Sequence, residues 1–207
     1  FNLMTRSKRI TYDNLALRDP DLVDSARRRF IEQEGGDPDA TTLPAFTPFR
    51  ARGVELANRV AVSAMCQYSA VEGTPLRWHD VHYGARAIGG AGLLVTEATN
   101  VSAQGRITHG CTGIYTDEHE ARWKEIVDFA HAHSAAKVAI QLGHAGRKAS
   151  YSLPWEGDAP LVDETAWATI GPTAASFLPG APAPEAMDRA DMDAVVAEFT
   201  EAAARSV

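Results

Sequence analysis

Lys137-Val138-Ala139-Ile140-Gln141-Leu142-Gly143-His144-Ala145-Gly146-Arg147-Lys148 decides how the chain is read. Its first six residues are a largely apolar run without the strict alternation of a half-exposed strand, which is what burial on both faces of a parallel sheet produces. The run then breaks at Gly143 into a polar, basic turn. Two earlier stretches are built alike. Arg59-Val60-Ala61-Val62-Ser63 leads into Ala64-Met65-Cys66-Gln67-Tyr68, and Leu93-Leu94-Val95-Thr96-Glu97 leads into Ala98-Thr99-Asn100. Helix-like stretches follow each run, at about 79–88, 118–133 and 187–207. This alternation predicts an α/β fold of three consecutive β/α units whose crossover helices lie outside a parallel sheet. An eight-unit barrel takes about 250 residues, whereas three units fill 45–207. The expected architecture is therefore the N-terminal portion of a TIM (β/α)8 barrel, with 46–50 and 54–56 flanking Ala51-Arg52-Gly53 as a small hairpin that caps its lower end.

Ahead of the first unit, residues 1–43 are charge-rich and weakly patterned. One short helix is expected at 21–33, capped by Asp19 with Pro20 in its first turn and stopped at Gly35-Gly36. Asp37-Pro38-Asp39 and Pro44 read as a linker, which places a boundary near 43. Arg27-Arg28-Arg29 reads as a solvated helix face. The chain starts at Phe1 and stops inside the helix-like run 192–207, as a piece of a longer protein would.

The 207 residues include 27 acidic and 20 basic side chains, for a net charge of −7. That balance, without a local basic stripe, argues against nucleic acid or an anionic membrane surface as partner. No run approaches the roughly 18 apolar residues of a membrane span. Cys66 and Cys111 are too few for a disulfide framework and lack C-x-x-C spacing, so a reducing, cytoplasmic setting is expected.

Reactive groups in parallel barrels gather where the strands end, and here those ends are polar. Gly89-Gly90-Ala91-Gly92 resembles a phosphate-binding loop, but it closes a helix and enters a strand, so it reads as a helix C-terminal turn. His79 and His82, with Glu97, could be imagined around a metal. Without a further ligand at a recognisable spacing, they read instead as histidines hydrogen-bonded at a helix start, and no metal is expected. Cys66, directly after a strand, is either an inert packed thiol or a placed one. Gln141 brings both a donor and an acceptor to a strand end, and a heteroaromatic edge of alternating N–H and C=O would satisfy both.

Taken together, 63–68, 92–98, Gln104-Gly105-Arg106-Ile107, Asp117-Glu118-His119 and 141–148 resemble the Old Yellow Enzyme family, in its thermophilic-like, cysteine-containing branch, over about 46–207. The leader segment 4–20 resembles the connector between a flavin monooxygenase and an Old Yellow Enzyme-like domain in bifunctional salicylyl-CoA hydroxylase and aminobenzoyl-CoA monooxygenase/reductase proteins. The resemblance implies a TIM barrel that holds FMN, takes reducing equivalents from NADH or NADPH, and acts as an ene reductase. An FAD-bearing domain would precede it. Ser63, Ala64 and Met65 would contact the flavin edge, Cys66 would lie near its O4/N5 region, Ala98 would leave room for its pyrimidine side, and Gln141 would bond that ring. Cys66 and Tyr68 are the implied catalytic residues, with Tyr68, Lys148 and Arg147 on the substrate side. Ala64 departs from the proline usual at that point. The implied partner is a small molecule, an aromatic acyl-CoA among the candidates, and a homo-oligomer is compatible with the reading. The alternatives are a free-standing ene reductase and a flavin-free barrel that serves as a structural or oligomerisation module.

Overall fold

The structure, a computed structural model, describes residues 12–33, 37 and 43–207, which divide into compact units at Val60/Ala61. The leader residues 4–11, the Gly35-Gly36 stop and most of the expected linker lie outside the described residues. In the first unit, α1 (Tyr12–Arg18) precedes α2 (Pro20–Glu32). Helix α1 was missed, because seven residues carry too little period to read. Helix α2 starts as anticipated: the Asp19 carboxylate accepts from Leu22 N–H at 3.0 Å and Pro20 fills the first turn, where no N–H is needed. The hairpin is present, with β1 (Phe49–Ala51) antiparallel to β2 (Val54–Leu56). It falls in the first unit, so the compact division comes later in the chain than position 43.

The second unit carries the three β/α repeats. Strands β3 (Ala61–Val62), β4 (Leu93–Asn100) and β5 (Lys137–Gly143) form a parallel sheet in that order. Helices α3 (Arg77–Ile88), α4 (Asp117–His133) and α5 (Arg189–Arg205) follow them in turn. The glycines at the end of α3 form the expected turn, with Gly89 as the cap and Gly90 at φ +91°. A short parallel pair, β6 (Ile170–Gly171) with β7 (Glu185–Ala186), sits in the long connection after β5; nothing in its Pro/Ala-rich sequence announced it.

Uniform burial of the three strands is corrected by the structure. Only β4, the central strand, is mostly buried, with Leu93, Val95 and Ala98 part-buried, while β3 and β5 flank it and are part-exposed. Strand β3 is also only two residues long, so Arg59, Val60 and Ser63 lie outside it. The core is in two parts. Leu94 packs with Ala87, Ala91, Ala130 and Ala136; nearer the strand ends, Tyr83, Trp123, Ile126 and Val101 pack together. Small residues in the first part let the helices approach the sheet closely.

Strand β4 contains a bulge. Val95 pairs with Ala139 but Ala98 pairs with Gln141, so one extra residue is inserted in β4. The Thr96 hydroxyl accepts the Gln141 N–H at 3.1 Å and so satisfies the donor that the shifted ladder would orphan. Because side chains alternate along a strand, that single residue reverses the face on which every later side chain of β4 projects.

Candidate functional site

The C-terminal ends of the three strands bring the anticipated segments together. Ala98 of β4 and Gln141 of β5 are register partners. Gln141 is exposed, not buried as the sequence suggested, and its amide has no hydrogen-bond partner among the described residues. After β3, Ser63 and Met65 are exposed and alternate with Ala64 and Cys66, which are half-buried. Tyr68, also half-buried, has φ +51°, the left-handed region that non-glycine residues enter at a cost.

The segment from Met65 to Ala70 is tied down at several points. Gln67 N–H donates to Glu97 Oε2 at 3.0 Å, and the Gln67 amide bridges Met65 O at 2.7 Å and Trp78 Nε1 at 3.0 Å. Ala70 N–H reaches Gly110 O at 3.0 Å. Gly110 is required there: a Cβ at that position would stand 2.5 Å from Tyr68 O.

Beneath this turn lies a fully buried polar pair. His79 Nε2 stands 3.1 Å from Glu97 Oε1. His79 Nδ1 accepts the Leu76 N–H at 2.9 Å and also lies 3.3 Å from Leu76 O, while Nε2 and Glu97 Oε1, though close, make no hydrogen bond to each other. The Glu97 backbone N–H donates to the Tyr83 hydroxyl at 2.8 Å. The expectation of histidines hydrogen-bonded at a helix start therefore holds for His79. No cluster of three or more metal-ligating side chains occurs among the described residues.

Burial pushes the Cys66 thiol up; a hydrogen bond from the Ala98 backbone opposes this, while negative charge at Cys111 and Glu97 adds to it. The Tyr68 hydroxyl is pushed up to about 12, chiefly by burial and next by the neighbouring Cys66. At neutral pH both groups hold their protons. Cys111 is buried against Thr108 and its thiol is likewise raised by burial.

Arg147 and Lys148 are outside this network. Arg147 is exposed and lines a hollow of about 330 Å³ with Tyr151 and Trp167, and Lys148 Nζ stands 5.4 Å from the centre of the Phe177 ring. Trp155 is mostly exposed and packs edge-on to Tyr68 at 6.2 Å. Sequence reasoning considered Glu97 only beside His79 and His82 as a metal set. The available signal was a carboxylate inside an apolar strand, which must find donors if it is buried.

The chain is similar to known proteins over most of its length. Residues 44–207 match the NADH:flavin oxidoreductase / NADH oxidase family. The chain is 40% identical over 163 residues to an NADPH dehydrogenase of Geobacillus thermodenitrificans, covering 78% of this chain and 44% of that protein. It is 38% identical over 181 residues to an NADH:flavin oxidoreductase of Gibberella zeae, covering 83% and 44% respectively. Among solved structures, morphinone reductase in complex with tetrahydroNAD superposes with a TM-score of 0.66 at 29% identity, over 79% of this chain and 46% of that one. The chain thus spans less than half the length of the relatives it matches.

Proposed function

Because the chain belongs to the NADH:flavin oxidoreductase / NADH oxidase family, the Old Yellow Enzyme family, over residues 44–207, we propose that it supplies the first strands and one side of the FMN pocket of a TIM-barrel NAD(P)H-dependent ene reductase. The observation that carries this reading is the pairing of Ala98 with Gln141 at the sheet's C-terminal end, where the Gln141 amide is exposed and without a partner. The residues present fit a flavin. Gln141 offers a donor and an acceptor to its polar edge, the short Ala98 side chain leaves space, and Met65, 42% exposed, offers apolar cover.

Bound FMN would supply the chemistry, passing a hydride taken from NAD(P)H to an activated double bond. The protein's part is placement and electrostatics. Ser63, Ala64 and Met65 flank the cofactor edge, and Cys66 and Tyr68, both pushed up by burial, act as protonated hydrogen-bond donors. A neutral thiol adds no second negative charge near Glu97, so its proton remains available as a donor toward an electron-rich atom. Tyr68 serves the substrate side, with Lys148 and Arg147 along the loop that follows β5. The acceptor is a small molecule. The leader resemblance favours an aromatic acyl-CoA and a bifunctional protein in which residues 1–43 join an FAD-bearing monooxygenase domain to the barrel, in the cytoplasm. No helix among the described residues is long and apolar enough to cross a membrane.

The test is Gln141→Ala in the full-length protein. Loss of a partner for buried polar atoms of the cofactor, about 1–3 kcal/mol, should weaken FMN retention roughly 5- to 150-fold, read by fluorescence of released flavin. Unchanged FMN affinity would remove the pocket assignment. A dinucleotide-binding fingerprint upstream of Phe1 is the expected mark of the bifunctional form.

A further inference from the structure

The turn that carries Cys66 and Tyr68 hangs from one side chain. Glu97 enters from β4, within the bulge between Val95 and Ala98, and its two oxygens have separate neighbours. Oε2 takes the Gln67 N–H at 3.0 Å, in the middle of the Cys66–Tyr68 turn, and Oε1 faces His79 Nε2 at 3.1 Å. Both side chains of the pair are fully buried. His79 is itself anchored at the start of its helix, where Nδ1 accepts the Leu76 N–H at 2.9 Å, so the ring is held beside the carboxylate. A buried carboxylate is costly unless donors meet it, and here the Gln67 N–H meets Oε2 while Oε1 has no hydrogen-bond partner among the described residues.

We propose that Glu97, with His79 packed beside it, is a positioning residue: its carboxylate grips the Gln67 N–H, thereby sets where the Cys66 sulfur and the Tyr68 hydroxyl stand, and places an acidic group next to that sulfur. This rests on the reading of 63–68 as one wall of the cofactor pocket, but the grip itself is a property of the chain alone. The groups that face the Cys66 thiol agree in sense. Tyr68, Cys111 and Glu97 are its titratable neighbours, and the Ala98 backbone is its hydrogen-bond partner. Of these, only Glu97 is a carboxylate. Trp78 and Gly110 hold the flanks of the turn, but neither bears charge, so a merely mechanical hinge and an electrostatic clamp make different forecasts.

The experiment measures, on the full-length protein, the rate at which iodoacetamide alkylates Cys66 as a function of pH, read by mass spectrometry of the peptide that contains it, with flavin content determined on the same samples. Glu97→Gln keeps an acceptor for Gln67 N–H and removes the charge. The alkylation midpoint should fall, and the rate near neutrality should rise about three- to tenfold. His79→Gln keeps the Glu97 charge but withdraws the ring that steadies it, and the Cys66 midpoint should stay where it is or rise. Opposite behaviour of the two variants is the signature of the clamp, since simple loosening of the turn would move both the same way. Equal midpoints in wild type and Glu97→Gln, or parallel shifts in both variants, would overturn the proposal. Should Glu97→Gln not fold, a lowered midpoint in His79→Gln alone would overturn it. The titration needs no flavin, so a wild-type protein that retains no FMN would remove the functional reading and leave the clamp standing.

Discussion

At the scale of single residues, the site depends on backbone placed where it is unwelcome. Tyr68 occupies the left-handed region, which costs a non-glycine residue on the order of 1–3 kcal/mol, and its carbonyl passes close to Gly110, where a Cβ would stand 2.5 Å away. The obstruction at Gly110 is backbone, not a flexible side-chain end, so nothing inexpensive can yield. Gly110→Ala should therefore destabilise the protein by about 1–3 kcal/mol in denaturant unfolding and also displace the Tyr68 loop. A midpoint within error of wild type would mean that the close approach is not a constraint.

Among the elements, the bulge in β4 is what turns a buried strand into the support of a site. The Thr96 hydroxyl takes the Gln141 N–H and itself donates to Glu97 O at 3.0 Å, so the irregular step is closed by side-chain chemistry that only Ser or Thr supplies. Thr96→Val, nearly equal in shape, should cost about 1–3 kcal/mol, because it leaves the Gln141 N–H without its acceptor. The same change should accelerate hydrogen exchange at Gln141 ahead of its neighbours in β5. Exchange at wild-type rates would show that the ladder re-forms without the hydroxyl. Helix α4 is secured by more ordinary means. Thr116 caps it with an oxygen 3.2 Å from His119 N–H, and acidic residues fill its first turn, where the helix dipole favours them.

For the molecule as a whole, pH dependence follows from its buried histidines. His82, His119 and His144 all lie below the ordinary value of 6.5, in each case first because burial penalises the charged ring. The unfolded chain then binds more protons than the folded one once pH drops below 6.5. Their contribution is complete above that value and is lost as pH falls through the folded-state values. The denaturation midpoint should decline between about pH 7 and 5. His144→Asn, which can keep the bond to Gly146 N–H at 3.0 Å through its amide oxygen, should flatten that decline. An equally steep profile in the variant would place the dependence elsewhere.

Periodicity and punctuation alone determined the three β/α units, their order, the Asp19 cap and the turn at Gly89-Gly90, because each depends on a few adjacent residues. The polar strand ends that form the candidate site were legible for the same reason: Ser63 to Tyr68, Ala98 and Gln141 stand out as breaks in apolar runs. Burial of the individual strands was not legible, since a residue's exposure depends on what lies beside its strand, and β3 and β5 have a neighbour on one side only. The extra residue in β4 was equally hidden, because a bulge is a relation between two strands. Only the folded chain decided that Glu97, thirty residues from Gln67 and eighteen from His79, would meet both, since a buried carboxylate is held by whatever donors the packing brings to it.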